Sequence, residues 1–171
     1  PPPSSGGGVM ITVLNVLRRD DLPALGHNSP TYLHLLSEAL QFAFADRAAA
    51  YGDPDFVVVP TRALLSPARG HTLRHRLSAA TTFSPTYYGQ HTVGSDAGTS
   101  HLSVVDGAGN AVACTTSINT SFGAMLVAGE TGILLHNTLV SFSAQPGVPN
   151  AYGLIGSHAN AIAPRKRPLS G

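Results

Sequence analysis

Thr99, Ser117 and Asn119 carry the chemistry that this sequence offers most plainly. A hydroxyl opens one apolar-alternating stretch, and a second hydroxyl and a carboxamide close the next. Leu102, Val104 and Asp106 alternate with His101, Ser103 and Val105, the two-residue period of a strand; Val112, Cys114, Thr116 and Ile118 continue it. Between them Gly107-Ala108-Gly109-Asn110 is hairpin punctuation, because Gly and Asn tolerate positive φ. If Asp106 lies opposite Ala111, Thr99 falls opposite Ile118, and Ser117 and Asn119 arrive within one residue of it. Such a cluster suits attack on a carbonyl and the holding of a polar substrate.

A threonine hydroxyl is a weak nucleophile at neutral pH and needs a base. The only nearby acids are Asp96 and Asp106, and His101 is expected to point along its own strand. The remaining base is the α-amine of Thr99 itself, whose ordinary pKa of about 7.7 to 8.0 suits the task. That amine exists only if the chain is cut between Gly98 and Thr99. Gly98, without a Cβ, permits close approach of the hydroxyl to the preceding carbonyl. The plainer reading is that Thr99 merely opens a strand.

Further motifs extend this pattern. The run Thr99-Ser100-His101-Leu102-Ser103-Val104-Val105-Asp106, then Gly109-Asn110-Ala111-Val112, Ile118-Asn119, Phe122-Gly123, Gly132-Ile133-Leu134-Leu135, Pro149-Asn150, Ala159-Asn160-Ala161 and Lys166-Arg167-Pro168-Leu169-Ser170 resembles the γ-glutamyltransferase family. The opening Pro1-Pro2-Pro3-Ser4-Ser5-Gly6-Gly7 resembles it too, so the likeness covers essentially the whole chain.

The resemblance implies an N-terminal-nucleophile hydrolase of α+β class, a four-layered αββα sandwich of which this chain holds a part. It implies a precursor that cuts itself before a threonine into a large and a small subunit. Residues 1–98 then correspond to the end of the large subunit, with residues 79–98 as junction linker, and residues 99–171 to the start of the small one. The start at Pro1 rather than Met, and the end within the Ser170-Gly171 motif, fit an internal fragment. The rest of the precursor is then a partner. Export to the periplasm or the extracellular space is implied by the resemblance alone.

By the same resemblance Thr99 is the catalytic nucleophile toward a γ-glutamyl donor such as glutathione, forming an acyl-enzyme that passes to water or to an amino acid or peptide. Ser117 takes the place of a threonine that supports the nucleophile and its amine. Asn119, Asn137 and Thr138 fall where the glutamyl headgroup is contacted, and Ser170 matches the first of two serines that bind the donor carboxylate. Ser141 stands where the family carries the aspartate that pairs with the donor α-ammonium; His136 replaces an asparagine, and Gly171 the second serine. Losing that carboxylate would cost on the order of 2 to 4 kcal/mol of donor binding. Two other functions therefore stay open: a glutaryl-type acylase, whose substrate has no α-ammonium, and a non-catalytic homologue.

Composition narrows the field. A chain of 171 residues, 43% hydrophobic, can bury one sizeable core. A net charge of +1 and 11% charged residues give no field for nucleic acid or an acidic membrane surface. No apolar run is long enough to span a membrane. Cys114 has no second cysteine to pair with and is expected to be a buried, inert thiol. The Gly6-Gly7-Gly8 run lacks the Lys-Ser/Thr of a phosphate loop.

The positioning elements follow. Residues 1–8 are too rich in Pro and Gly for regular helix, and a helix is predicted over 9–17, with Val9, Val13, Val16 and Leu17 on one face. Ser29-Pro30 reads as N-cap and first helical residue, and Leu33, Leu36, Leu40, Ala43 and Phe44 as a core stripe that stops at Gly52-Asp53-Pro54. Asp46 and Arg47 suggest a mutual ion pair or a solvated face. Ser66-Pro67 opens another helix with His71 and His75 four apart; no glutamate follows the first histidine and Arg74 lies between, so no metal is expected. Residues 85–98 are expected to be mobile once the chain is cut, because the freed linker must swing away. Residues 132–136 read as a buried strand, and residues 159–170 as an extended segment in which Arg167 pairs inside the fold. No cofactor is implied.

Overall fold

The computed structural model describes residues 6–89, 99–150, 153 and 155–169. They divide into two compact units, residues 1–94 with 141–171, and residues 95–140.

The first unit is built on helices α1 (Gly7–Val16), α2 (Leu22–Leu25), α3 (Pro30–Ala50), α4 (Thr61–Leu64), α5 (Pro67–Arg74) and α6 (Pro85–Tyr88). Ser29 and Ser66 cap α3 and α5 as expected, their Oγ atoms accepting from Tyr32 N and Arg69 N, each at 3.2 Å. Val9, Val13, Val16 and Leu17 of the α1 region pack on Leu35, Ala39, Phe42 and Ala43 of α3 and on Leu73 of α5. The α3 stripe differs in phase from the expected one. Leu33 and Phe44 are exposed, and Leu35, Glu38, Ala39 and Phe42 face inward instead, because α1, α5 and α6 all pack on that flank. Helix α1 begins at Gly7, two residues earlier than expected. Gly8 lies inside the helix, and a Cβ there would run into the phenol of Tyr51, so packing requires the glycine at this position.

Asp46 pairs with Arg69 of α5 rather than with its neighbour Arg47, its Oδ2 accepting from Nε at 2.8 Å. Arg74 grips Asp20 in the same bidentate way. Within the stretch before the junction a short helix, α6, forms where linker was expected, and Tyr88 is buried against Phe42. Tyr88 Oη donates to Glu38 Oε2 at 2.6 Å, and Thr82 Oγ1 donates to Glu38 Oε1 at 2.9 Å. Burial, and then this bond to Glu38, push the Tyr88 phenol up to about 12. The rest of the expected mobile stretch, residues 90–98, lies outside the described residues.

The segment over 141–169 folds back onto this unit. Asp53, fully buried, accepts from Arg167 N at 2.8 Å, Nε at 3.0 Å and Nη2 at 2.6 Å, so Arg167 does pair inside the fold. Arg167 Nη2 also reaches Asp55 at 2.6 Å. Residues 159–169 are less extended than expected, with a 3-10 turn at His158–Asn160.

The second unit holds the antiparallel hairpin of β1 (Ser100–Val105) and β2 (Ala111–Thr116). Residues 132–136 form no named strand and are largely exposed; Leu134 makes a single antiparallel bridge to Val127. Cys114 sits mid-strand as expected but is exposed, because both faces of this two-stranded ribbon are open.

Two outcomes follow. Side-chain bonds from Arg167 hold the Asp53 carboxyl well below the usual carboxylate range, so its stabilisation is complete above an unfolded-state pKa of about 3.9 and fades as pH falls toward the lower folded value. Asp53→Asn should therefore lower the thermal midpoint at neutral pH, with the gap to wild type closing below about pH 4; a gap unchanged down to strong acid contradicts the assignment. Tyr88→Phe leaves one Glu38 oxygen without its donor and should cost about 1 to 3 kcal/mol in urea unfolding.

Candidate active site

The hairpin register differs by one residue from the sequence reading. Ser100 faces Thr116, Leu102 faces Cys114 and Val105 faces Ala111. Asp106 N donates to Asn110 O at 3.0 Å, closing the turn one residue sooner than a pairing with Ala111 would. Thr99 therefore meets Ser117, and its Oγ1 donates to Ser117 Oγ at 3.4 Å. A slip of one residue reverses every side chain on a strand, which is why the correction matters.

The turn accounts for its own carboxylate. Asp106 Oδ1 accepts from the amides of Ala108 and Asn110, each at 2.9 Å, and Oδ2 accepts from Asn110 Nδ2 at 2.7 Å. The Asn110 side-chain bond, followed by the backbone amides, lowers the Asp106 pKa. A carboxylate held this way, in the turn, is not free to serve Thr99 as a base. His101 is also engaged. Its Nε2 meets Ser103 Oγ at 3.0 Å along its own strand, and its Nδ1 meets Thr115 Oγ1 across the ladder at 2.7 Å.

Beyond β2 the chain turns sharply. Ser117 Oγ accepts from Asn119 N at 2.8 Å, and Asn119 adopts φ +77°, a left-handed conformation that Asn tolerates better than most residues. The Asn119 carboxamide donates to Asn137, reaching Oδ1 at 3.0 Å. Asn137 Nδ2 donates to Thr120 Oγ1 at 2.8 Å. Gly123 is needed nearby: at φ +53° a Cβ would strike the carbonyl of Leu135. Thr99, Ser117, Asn119 and Asn137 are thus joined by hydrogen bonds within one unit.

Thr138 begins a 3-10 turn, Thr138–Ser141, directly after Asn137. Ser141 belongs to the first unit, where its carbonyl accepts from Asn160 Nδ2 at 2.8 Å. Gly98 and Ser170 lie outside the described residues. The chemistry-bearing residue that sequence reading passed over is Asn160. It stood only within the Ala159-Asn160-Ala161 motif, and nothing local signalled that its side chain is buried. Among the described residues no group of three or more His, Cys, Asp or Glu side chains gathers to hold a metal. His71 and His75 instead stack edge to face on each other.

Comparison with known proteins gives a consistent picture. The family described as Gamma-glutamyltranspeptidase matches residues 1–171. The Glutathione hydrolase proenzyme of Escherichia coli (strain K12) is 46% identical over 172 residues, covering 99% of this chain and 30% of that protein. The Acylase ACY 1 proenzyme of Pseudomonas sp. (strain SE83) is 39% identical over 170 residues, covering 98% of this chain and 28% of that protein. Among solved structures, a cephalosporin acylase from Bacillus halodurans superposes with a TM-score of 0.70 at 26% identity, over 97% of this chain and 27% of its own. The chain spans somewhat under a third of the length of these relatives. With a match from its first residue to its last, this chain belongs to the γ-glutamyltranspeptidase family.

Proposed function

We propose that this chain is the junction portion of a self-processing γ-glutamyl transferase or hydrolase that acts on γ-glutamyl amides such as glutathione through a threonyl acyl-enzyme. The observation that carries the reading is the facing pair of hydroxyls, Thr99 Oγ1 donating to Ser117 Oγ, with two of the three nearby alternatives for a base, Asp106 and His101, already bonded elsewhere and the third, Asp96, outside the described residues. The proenzyme relative from Escherichia coli supports it.

In this reading the four-layered αββα sandwich is completed by the rest of the precursor, with residues 1–98 in the large subunit and residues 99–171 in the small one. Scission between Gly98 and Thr99 frees the Thr99 amine. That amine accepts the proton of the Thr99 hydroxyl as Oγ1 bonds to the γ-glutamyl carbonyl carbon; the amide C–N bond then breaks, and the leaving amine takes the proton. Water or an acceptor amine attacks the resulting ester and regenerates the hydroxyl. Ser117 orients the nucleophile. Asn119, Asn137 and Thr138 contact the glutamyl headgroup, and Ser170 the donor carboxylate.

A second reading has a specific observation behind it. Ser141 supplies no charge opposite a donor ammonium, and the similar proteins include acylases. Glutaryl amides, which lack that ammonium, then become the better donors.

Three results are expected. Thr99→Ala should yield a chain that stays uncut on a denaturing gel and is inactive; normal cutting in that variant excludes self-processing through this hydroxyl. Ser117→Ala should lower kcat by about 2- to 10-fold, the scale of one neutral hydrogen bond lost at the reacting oxygen, while Ser117→Thr retains activity. A γ-glutamyl anilide should be hydrolysed with higher kcat/KM than its glutaryl counterpart, and the reverse order favours the acylase.

A further inference from the structure

Asn160 is a buried carboxamide, 4% exposed, on the 3-10 turn His158–Asn160. Its Nδ2 donates to the carbonyl of Ser141 at 2.8 Å, and its Oδ1 accepts from the amide of Leu169 at 3.0 Å. Its own carbonyl accepts from Ser143 N at 3.0 Å, next to the parallel bridge between Ser143 and Ala161. One side chain thus ties the backbone of Ser141 to the backbone of Leu169, the residue that precedes Ser170 in the chain.

We infer that Asn160 is a positioning residue that sets donor specificity, by fixing the spacing between the Ser141 segment and the Leu169 segment. This rests on the function proposed above, in which Ser141 stands on the ammonium side of the donor and Ser170 on its carboxylate side. Both anchors are backbone groups, so the spacing is held whatever side chain occupies position 141. That matters most here, where Ser141 offers a hydroxyl in place of a charge. A neutral hydrogen bond depends on distance more steeply than a long-range charge pair does, so with serine the geometry of the cradle carries a larger share of recognition.

The surroundings are built to hold Asn160 still. A Cβ on Gly52 would collide with the carbonyl of Ala159, so the loop after α3 lies directly against this turn. The Asp53 carboxylate clamps Arg167 two residues before Leu169. Burial leaves no water to replace either amide bond if the carboxamide is removed. The Ser141 and Leu169 backbones would then separate or slide with neither of these residues itself altered.

The test compares two donors that differ only in the groups the cradle would read: a γ-glutamyl anilide, and a butyryl anilide that carries neither ammonium nor carboxylate. In the complete protein, Asn160→Ala should raise KM for the γ-glutamyl anilide and lower the γ-glutamyl to butyryl ratio of kcat/KM by at least about tenfold, the scale of one charge-assisted contact. Asn160→Asp keeps an acceptor for Leu169 N and loses the donor to Ser141; it should lower the ratio in the same direction. A merely structural role moves both donors alike, so an unchanged ratio in the two variants overturns the inference while leaving the functional proposal standing. A wild-type protein that turns over neither anilide removes the functional proposal, and this inference with it.

Discussion

The pairing register of β1 with β2 decides which side chain meets Thr99, and every chemical statement about the site depends on it. The ladder puts Ser100 against Thr116, which brings Ser117 rather than Ile118 to Thr99. Three features hold the register. Asp106 closes the turn around Ala108 and Asn110, His101 bridges to Thr115 on one face, and Leu102 and Val104 meet Cys114 and Val112 on the other. Past the ladder, the left-handed Asn119 and the Asn119–Asn137 bond bend the chain so that carboxamides follow the hydroxyl pair.

The first unit solves a different problem, that of anchoring a long polar segment without a sheet. It does so with buried side chains that accept or donate to backbone. Asp53 takes the Arg167 amide as well as its guanidinium, and Asn160 joins Ser141 to Leu169. Glu38 anchors the stretch that leads toward the junction through side chains instead, accepting from the hydroxyls of Tyr88 and Thr82. Each is a polar group whose desolvation is offset by two or more bonds, and removing one partner leaves the other stranded.

Much of this was legible in the sequence because it is local. The Ser-Pro caps of α3 and α5 need only adjacent residues, and the hairpin needs only its alternation and its Gly/Asn turn. The expectation that Thr99 uses its own amine came from the want of another base near it; Asp106 and His101 are engaged elsewhere, and Asp96 lies outside the described residues. What could not be read is what depends on distant partners. The register failed by one residue because a turn holding Asp106, Gly107, Ala108, Gly109 and Asn110 can close at either Asn110 or Ala111, and the Asp106 side chain selects the shorter. The inward face of α3 is chosen by α1, α5 and α6 together, not by the leucine spacing. Asp46 finds Arg69, 23 residues away, in preference to the adjacent Arg47. Gly8 reads locally as a helix breaker, and only the distant Tyr51, which fills the space its missing side chain leaves, makes glycine a packing requirement there.

The central claim is that a backbone cut turns residue 99 into its own base. N-terminal sequencing of purified, catalytically active protein addresses this directly. The account predicts a polypeptide that begins Thr-Ser-His-Leu, in amounts matching the active sites titrated. Full activity in material with no such terminus contradicts it.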